Sequence, residues 1–172
     1  MKKLLCFIIM IVCTFSAIPS SCESFLMSLH DFSTKFSEAT ILHKTNHAFY
    51  FVKENMTSYV DEAGSSLEIR FPIANCTMCL YLPYNDDYIK EIIVISQGGQ
   101  DSEAAKELLF LLRELCYATG AYTWPEEWSS FSLSDLGVSF SNWNAGFFDR
   151  NSRRYSWILN NDVGFIFTIQ PL

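Results

Sequence analysis

Apolar side chains recur at spacings of three and four in two stretches of this chain. In most of the rest they recur at spacings of two. The first helical stretch is "ESFLMSLHDFSTKFSEA", where Phe25, Leu29, Phe32 and Phe36 fall on one face. Glu23, Asp31, Lys35 and Glu38 fall on the other, so the pattern predicts an amphipathic helix over about 23–39. The second is "GGQDSEAAKELLFLLRELCYATG", with Ala105, Leu108, Leu109, Leu112, Leu115 and Cys116 on a broad apolar face. Asp101 or Ser102 suits its N-cap, because a short polar side chain accepts from free backbone N–H groups there. Gly120 suits a left-handed stop, which predicts a helix over about 102–119.

The period-two segments read as strands. "HAFYFVK" reads as a short strand paired across a turn with "MTSYV". In "SLEIRFPI", Leu67, Ile69, Phe71 and Ile73 point one way and Glu68 and Arg70 the other. "CTMCLYL" and "YIKEIIVIS" follow, giving an antiparallel meander. Past the second helix, "AYTWPEEWSS" reads as a turn region and "SNWNAGFF" as a polar-aromatic loop. Leu136, Val138 and Phe140 alternate, as do Tyr155, Trp157 and Leu159, and Phe165, Phe167 and Ile169; "NNDVG" turns the chain between the last two runs.

The order is helix, strands, helix, strands. This predicts an α+β fold: an antiparallel meander sheet with both amphipathic helices packed on one face. The two halves also rhyme. "LEIRF…YLPYNDDYIKEIIVIS" and "LGVSF…YSWILNNDVGFIFTI" each hold an alternating strand, a second strand, an Asn-Asp turn and a final apolar strand. They read as two α-then-β repeats, 22–97 and 98–172, joined in one curved sheet, or as a chance likeness between hairpins.

The N-terminus changes the picture of where this domain works. Lys2 and Lys3 precede a continuous apolar run from Leu4 to Cys13, and small residues follow. That is the layout of a bacterial-style export signal, expected to occupy residues 1–21 and leave a single domain over 22–172. The run is short for a membrane span, which needs about 20 apolar residues. Two cleavage routes fit. In one, a signal peptidase cuts after small residues and the protein is secreted. In the other, "IPSSC" acts as a lipobox and Cys22 receives a lipid anchor on the outer face of the membrane, although Pro19 departs from the usual leucine.

The whole chain carries 12 Lys and Arg against 19 Asp and Glu. Without Lys2 and Lys3, 10 basic residues remain against 19 acidic ones, a net charge of −9. With no basic cluster beyond "SRRYSW", nucleic acid is an unsuitable partner, because phosphate binding is chiefly cationic neutralisation.

Chemistry is sparse. Cys76-Thr-Met-Cys79 is a C-x-x-C, but "LYLPY" after it indicates a strand. In a strand, residues three apart point to opposite faces, which separates the two sulfurs. No second C-x-x-C exists to complete a zinc site, so neither metal nor cofactor is expected. Export permits a disulfide, and Cys76 with Cys116 is the preferred pair; buried free thiols are the competing reading. His30, His43 and His47 sit in no hydrolase or metalloprotease motif. All four tryptophans fall between residues 124 and 157. Tyr122, Trp124, Trp128 and Trp143 lie in turn-like contexts and are the candidate binding residues, whereas Trp157 belongs to a core strand.

These features predict a non-catalytic extracytoplasmic module, secreted or lipid-anchored, that binds a protein or cell-envelope partner through an aromatic surface. The alternatives are an extracytoplasmic enzyme or thiol-redox protein using Cys76 and Cys79, and a structural component of an envelope assembly.

Overall fold

The computed structural model describes residues 27–50, 56–61, 64–71, 75–83, 87–97, 102–121 and 144–172. The chain forms an α+β fold with a seven-stranded antiparallel sheet and two α-helices. The elements in chain order are α1 (Leu29–His43), a 3-10 turn (His47–Tyr50), β1 (Met56–Asp61), β2 (Gly64–Phe71), β3 (Cys76–Pro83) and β4 (Glu91–Ser96). α2 (Ser102–Ala118), β5 (Ala145–Arg150), β6 (Arg153–Asn160) and β7 (Gly164–Pro171) complete it. The sheet order is β1-β2-β3-β4-β7-β6-β5. Two meanders therefore meet at the β4–β7 pair, where Ile92 opposes Ile169 and Val94 opposes Phe167.

Helix α1 begins at Leu29, later than the periodicity alone suggests. Ser28 is the reason: its Oγ accepts the Asp31 backbone N–H at 3.0 Å and donates to the Asp31 carboxylate at 2.8 Å. Ser28 itself is extended and bridges to Tyr88 on the approach to β4, through Leu29 N–H to the Asp87 carbonyl and Ile89 N–H to the Met27 carbonyl. The helix also runs on to His43, where Lys44 adopts a left-handed conformation and closes the last turn. Helix α2 stops where Gly120 predicted, at φ 79°, with Ala121 N–H bonded to the Cys116 carbonyl at 2.8 Å.

Two strand assignments change. "HAFYFVK" does not open as a strand: His47–Tyr50 is a 3-10 turn, and β1 pairs with β2 instead, Met56 opposite Ile69. The turn is imposed by tertiary contacts of His47, described below, that override a weak period-two pattern. The stretch read as a polar-aromatic loop overlaps the start of β5, whose Ala145–Arg150 ladder runs along β6. A two-residue turn with positive φ at Asn151 and Ser152 closes that hairpin, the geometry that matches strand twist. The predicted run Leu136–Val138–Phe140 lies outside the described residues.

Register assigns every strand residue to a face. Ile69, Phe71, Cys76, Met78, Leu80, Val94, Phe167, Tyr155 and Trp157 lie on one face and belong to a single buried cluster. Phe32, Phe36 and Ala39 of α1 and Leu111, Leu115 and Cys116 of α2 belong to the same cluster. On the other face, Ile93, Ile95 and Ile166 form a second, smaller cluster joined by Cys79 and Val163. β4 is thus apolar on both faces, as a central strand requires.

Gly146 shows why β5 looked like a loop. It sits opposite Trp157, and a Cβ added there would come 2.3 Å from Trp157 Cζ2. The small residue is needed for the indole to lie over the strand. Gly146→Ala is expected to lower stability by about 1–3 kcal/mol through overpacking. Urea unfolding measures this, and a midpoint equal to wild type would show that the indole has room to move.

Candidate functional site

The most concentrated chemistry in the described chain lies where α1, the 3-10 turn and α2 meet. Glu107 and Glu114 are two helical turns apart and share one face of α2 with Leu111 and Ala118. Glu114 is fully buried. A carboxylate in that position requires partners, because an unpaired buried charge costs several kcal/mol. Its partners come from the chain just after the left-handed stop of α1. Thr45 Oγ1 donates to Glu114 Oε1 at 2.6 Å, and His43 Nδ1 lies 3.3 Å from the same oxygen. His47 Nδ1 lies 2.5 Å from Glu114 Oε2, and its Nε2 lies 3.0 Å from Glu107 Oε2.

The protonation of His47 follows from this geometry. A carboxylate only accepts, so a ring placed between two carboxylates carries a proton on both nitrogens. The geometry therefore favours the imidazolium form of His47, flanked by Glu114 and Glu107. Burial alone would lower its pKa, but the hydrogen bond and charge of Glu114, followed by those of Glu107, outweigh burial and raise it above 6.5. For Glu114, burial pushes upward. The hydrogen bonds of His43 and His47, the His47 charge and the Thr45 hydroxyl together bring it below 4.5. Phe71 of β2 closes the remaining side, its ring edge-on to the imidazole at 5.8 Å.

This donor set is saturated by its own hydrogen bonds. With both nitrogens of His47 donating to carboxylates, no lone pair is left to ligate a cation. Among the described residues no group of three or more His, Cys, Asp or Glu is placed to hold a metal ion. The arrangement fastens two helices and a turn with buried charge.

The sequence did not indicate this cluster as a unit. His43 and His47 belong to no hydrolase or metalloprotease motif, and no local motif sets Glu107 and Glu114 apart. One signal was present: Glu107, Leu111, Glu114 and Ala118 fall at helical spacing, which puts two carboxylates on a face that also carries core residues.

The residues that the sequence did indicate fall elsewhere. Tyr122, Trp124, Trp128, Trp143 and Cys22 lie outside the described residues. Cys76 and Cys79 lie in β3 and point to opposite faces, as the strand reading requires. Cys76, Cys79 and Cys116 are free thiols. The bridge expected between Cys76 and Cys116 is not present; both side chains pack in the main cluster as small apolar groups. Burial pushes the Cys76 and Cys79 thiols up to about 12, helped at Cys79 by the Glu68 charge, and burial also raises Cys116. At neutral pH all three are held as thiols, the unreactive form. Iodoacetamide at pH 7.5 is therefore expected to leave all three unmodified in the folded domain and to alkylate them in non-reducing urea. Peptide mapping reads both states; a Cys76–Cys116 disulfide peptide in urea would contradict the thiol assignment.

Among the described residues, no helix is long and apolar enough to cross a membrane. Comparison of the chain with protein-family models, with curated proteins and with solved structures found no match.

Proposed function

We propose that this chain is an exported, non-catalytic binding module, secreted or lipid-anchored through Cys22, that engages a protein or cell-envelope partner through aromatic and apolar side chains. The observation that carries this reading is that Phe147, 62% exposed, and Ile158, 47% exposed, lie on the same sheet face, away from the main core, as diagonal neighbours across the β5–β6 ladder. Phe147 is covered by the Arg154 guanidinium at 4.6 Å, and Asp149 holds that guanidinium through two hydrogen bonds of 2.9 Å. An aromatic ring and an arginine already ordered in the free protein suit recognition, because little side-chain entropy is left to lose on binding. Tyr122, Trp124, Trp128 and Trp143, the binding residues expected from the sequence, precede β5 in the chain and lie outside the described residues.

The fold reading extends in the same spirit. Both helices contribute to the cluster on one sheet face, which supports their packing together on that face. The mirrored strand order around β4 and β7 supports two α-then-β units with β1 as an added edge strand. The thiol-redox alternative has little support, since Cys76 and Cys79 are raised to about 12 and face apart.

The test is capture from envelope extract by the immobilised mature domain, read by cross-linking and mass spectrometry. Wild type should capture a partner that Phe147→Asp and Trp143→Ala both lose, with melting temperatures unchanged. Equal capture by all three proteins removes this surface from the proposal. Mass analysis of the native N-terminus tests the address: a lipidated Cys22 or a trimmed terminus supports export, and an intact Met1 in the cytosol rules it out.

A further inference from the structure

The chain that leaves α1 is tied to α2 through His47 and Thr45, and the His47 tie depends on a proton. The fastening has three parts. His47 sits between Glu114 and Glu107 on α2, with side-chain exposures of 2%, 0% and 23% respectively. His43, from the last turn of α1, approaches the Glu114 oxygen that Thr45 also engages. β2 contributes the Phe71 ring, which brings no charge. Among the described residues, every charged group in contact with His47 is therefore a carboxylate of α2, and only its two ring protons make those contacts favourable.

We infer that His47 is a proton-operated latch that fixes the segment Lys44–Tyr50 against α2 when protonated and loosens it when the proton leaves. Losing the proton turns one ring nitrogen into an acceptor facing a carboxylate oxygen. Two acceptors then oppose each other in a buried site, and each wants a donor that is no longer there. Opening the segment to water relieves this, and the segment is short, with the Thr45 hydroxyl as its other hydrogen bond to Glu114.

The direction with pH is fixed by the two shifts. The folded pKa of His47 is raised, so its contribution is complete below about 6.5 and is lost as pH rises through the folded value. The folded pKa of Glu114 is lowered, so its contribution is complete above about 4.5 and is lost as pH falls through the folded value. The latch is therefore tightest between about 4.5 and 6.5 and loosens towards alkaline pH.

Amide hydrogen exchange of the full mature domain, corrected for intrinsic rates, tests this at pH 5.5 to 9, alongside the NMR titration of the His47 ring. Protection of Thr45 to Ala48 should fall by up to about tenfold per pH unit above 6.5, until the ring has titrated. Strands β6 and β7 should keep their protection. In His47→Gln the local pH dependence should vanish. Glu107→Gln leaves the buried Glu114 partner in place, so the domain should fold, and the ring midpoint should move to lower pH. A wild-type segment whose protection is flat across this range overturns the latch. So does a His47→Gln profile that matches wild type, or a Glu107→Gln ring midpoint that stays in place.

Discussion

Glu114→Leu at pH 5.5 should lower the unfolding free energy by about 3–5 kcal/mol, the cost of stranding a buried ionic partner. At that pH His47 carries a proton that Glu114 accepts at 2.5 Å. Leucine fills the volume but accepts nothing, so Thr45, His43 and His47 lose a shared acceptor in one step. The ring can shed its proton to escape, and the cost should therefore shrink as pH rises towards 8. A companion variant separates charge from packing. His47→Phe with Glu114→Leu replaces the pair by apolar groups of similar size, and it should recover part of the loss, because the buried ring no longer lacks its acceptor, while Thr45 and His43 still do. Urea midpoints at the two pH values decide the matter. A loss under about 1 kcal/mol for the single variant at pH 5.5 would mean that water already solvates the cluster.

Trp157→Ala should be comparably severe, at about 3–5 kcal/mol. The indole is 3% exposed, lies over Gly146 and faces Phe167 across the β6–β7 ladder. Alanine leaves a cavity whose walls are strands, and strands in the middle of a sheet do not collapse to fill it. Thermal melting of Trp157→Ala beside Trp124→Ala and Trp143→Ala makes the comparison. Only the first should melt far below wild type. If all three unfold alike, the tryptophans form one core and the proposed aromatic surface loses its members.

The legible parts of this fold are those set by neighbours in sequence. Helix α2 was readable from six apolar residues on one face and Gly120 at the stop. Strands β6 and β7 were readable because alternation runs unbroken from Tyr155 to Leu159 and from Phe165 to Ile169, with Asn160 accepting the N–H groups of Asp162 and Val163 in the turn between. The parts missed are those set by distant contacts. β5 contains Gly146, a poor strand former, because the packing of Trp157 demands it. His47 begins a 3-10 turn because its ring bonds to a glutamate 67 residues away. A tie of that kind leaves no local trace beyond two carboxylates on a helix face. Tyr122, Trp124, Trp128 and Trp143 stand out by turn-like sequence context, whereas Phe147 lies in a strand.

The position of β7 has a consequence for how the protein comes to exist. β4 is apolar on both faces, and its neighbour on one side is a strand made much later, after α2, β5 and β6. A nascent chain that has emerged only through β4 carries Ile92 to Ile95 with one backbone edge unpaired, in the form most prone to join a second chain. Pairing between remote segments is also slow, since the long loop must be closed before the ladder repays it. Pairing of β4 with β7 must therefore wait until β7 has been made. A chaperone that holds the chain until β7 has been made would shield that edge during the interval.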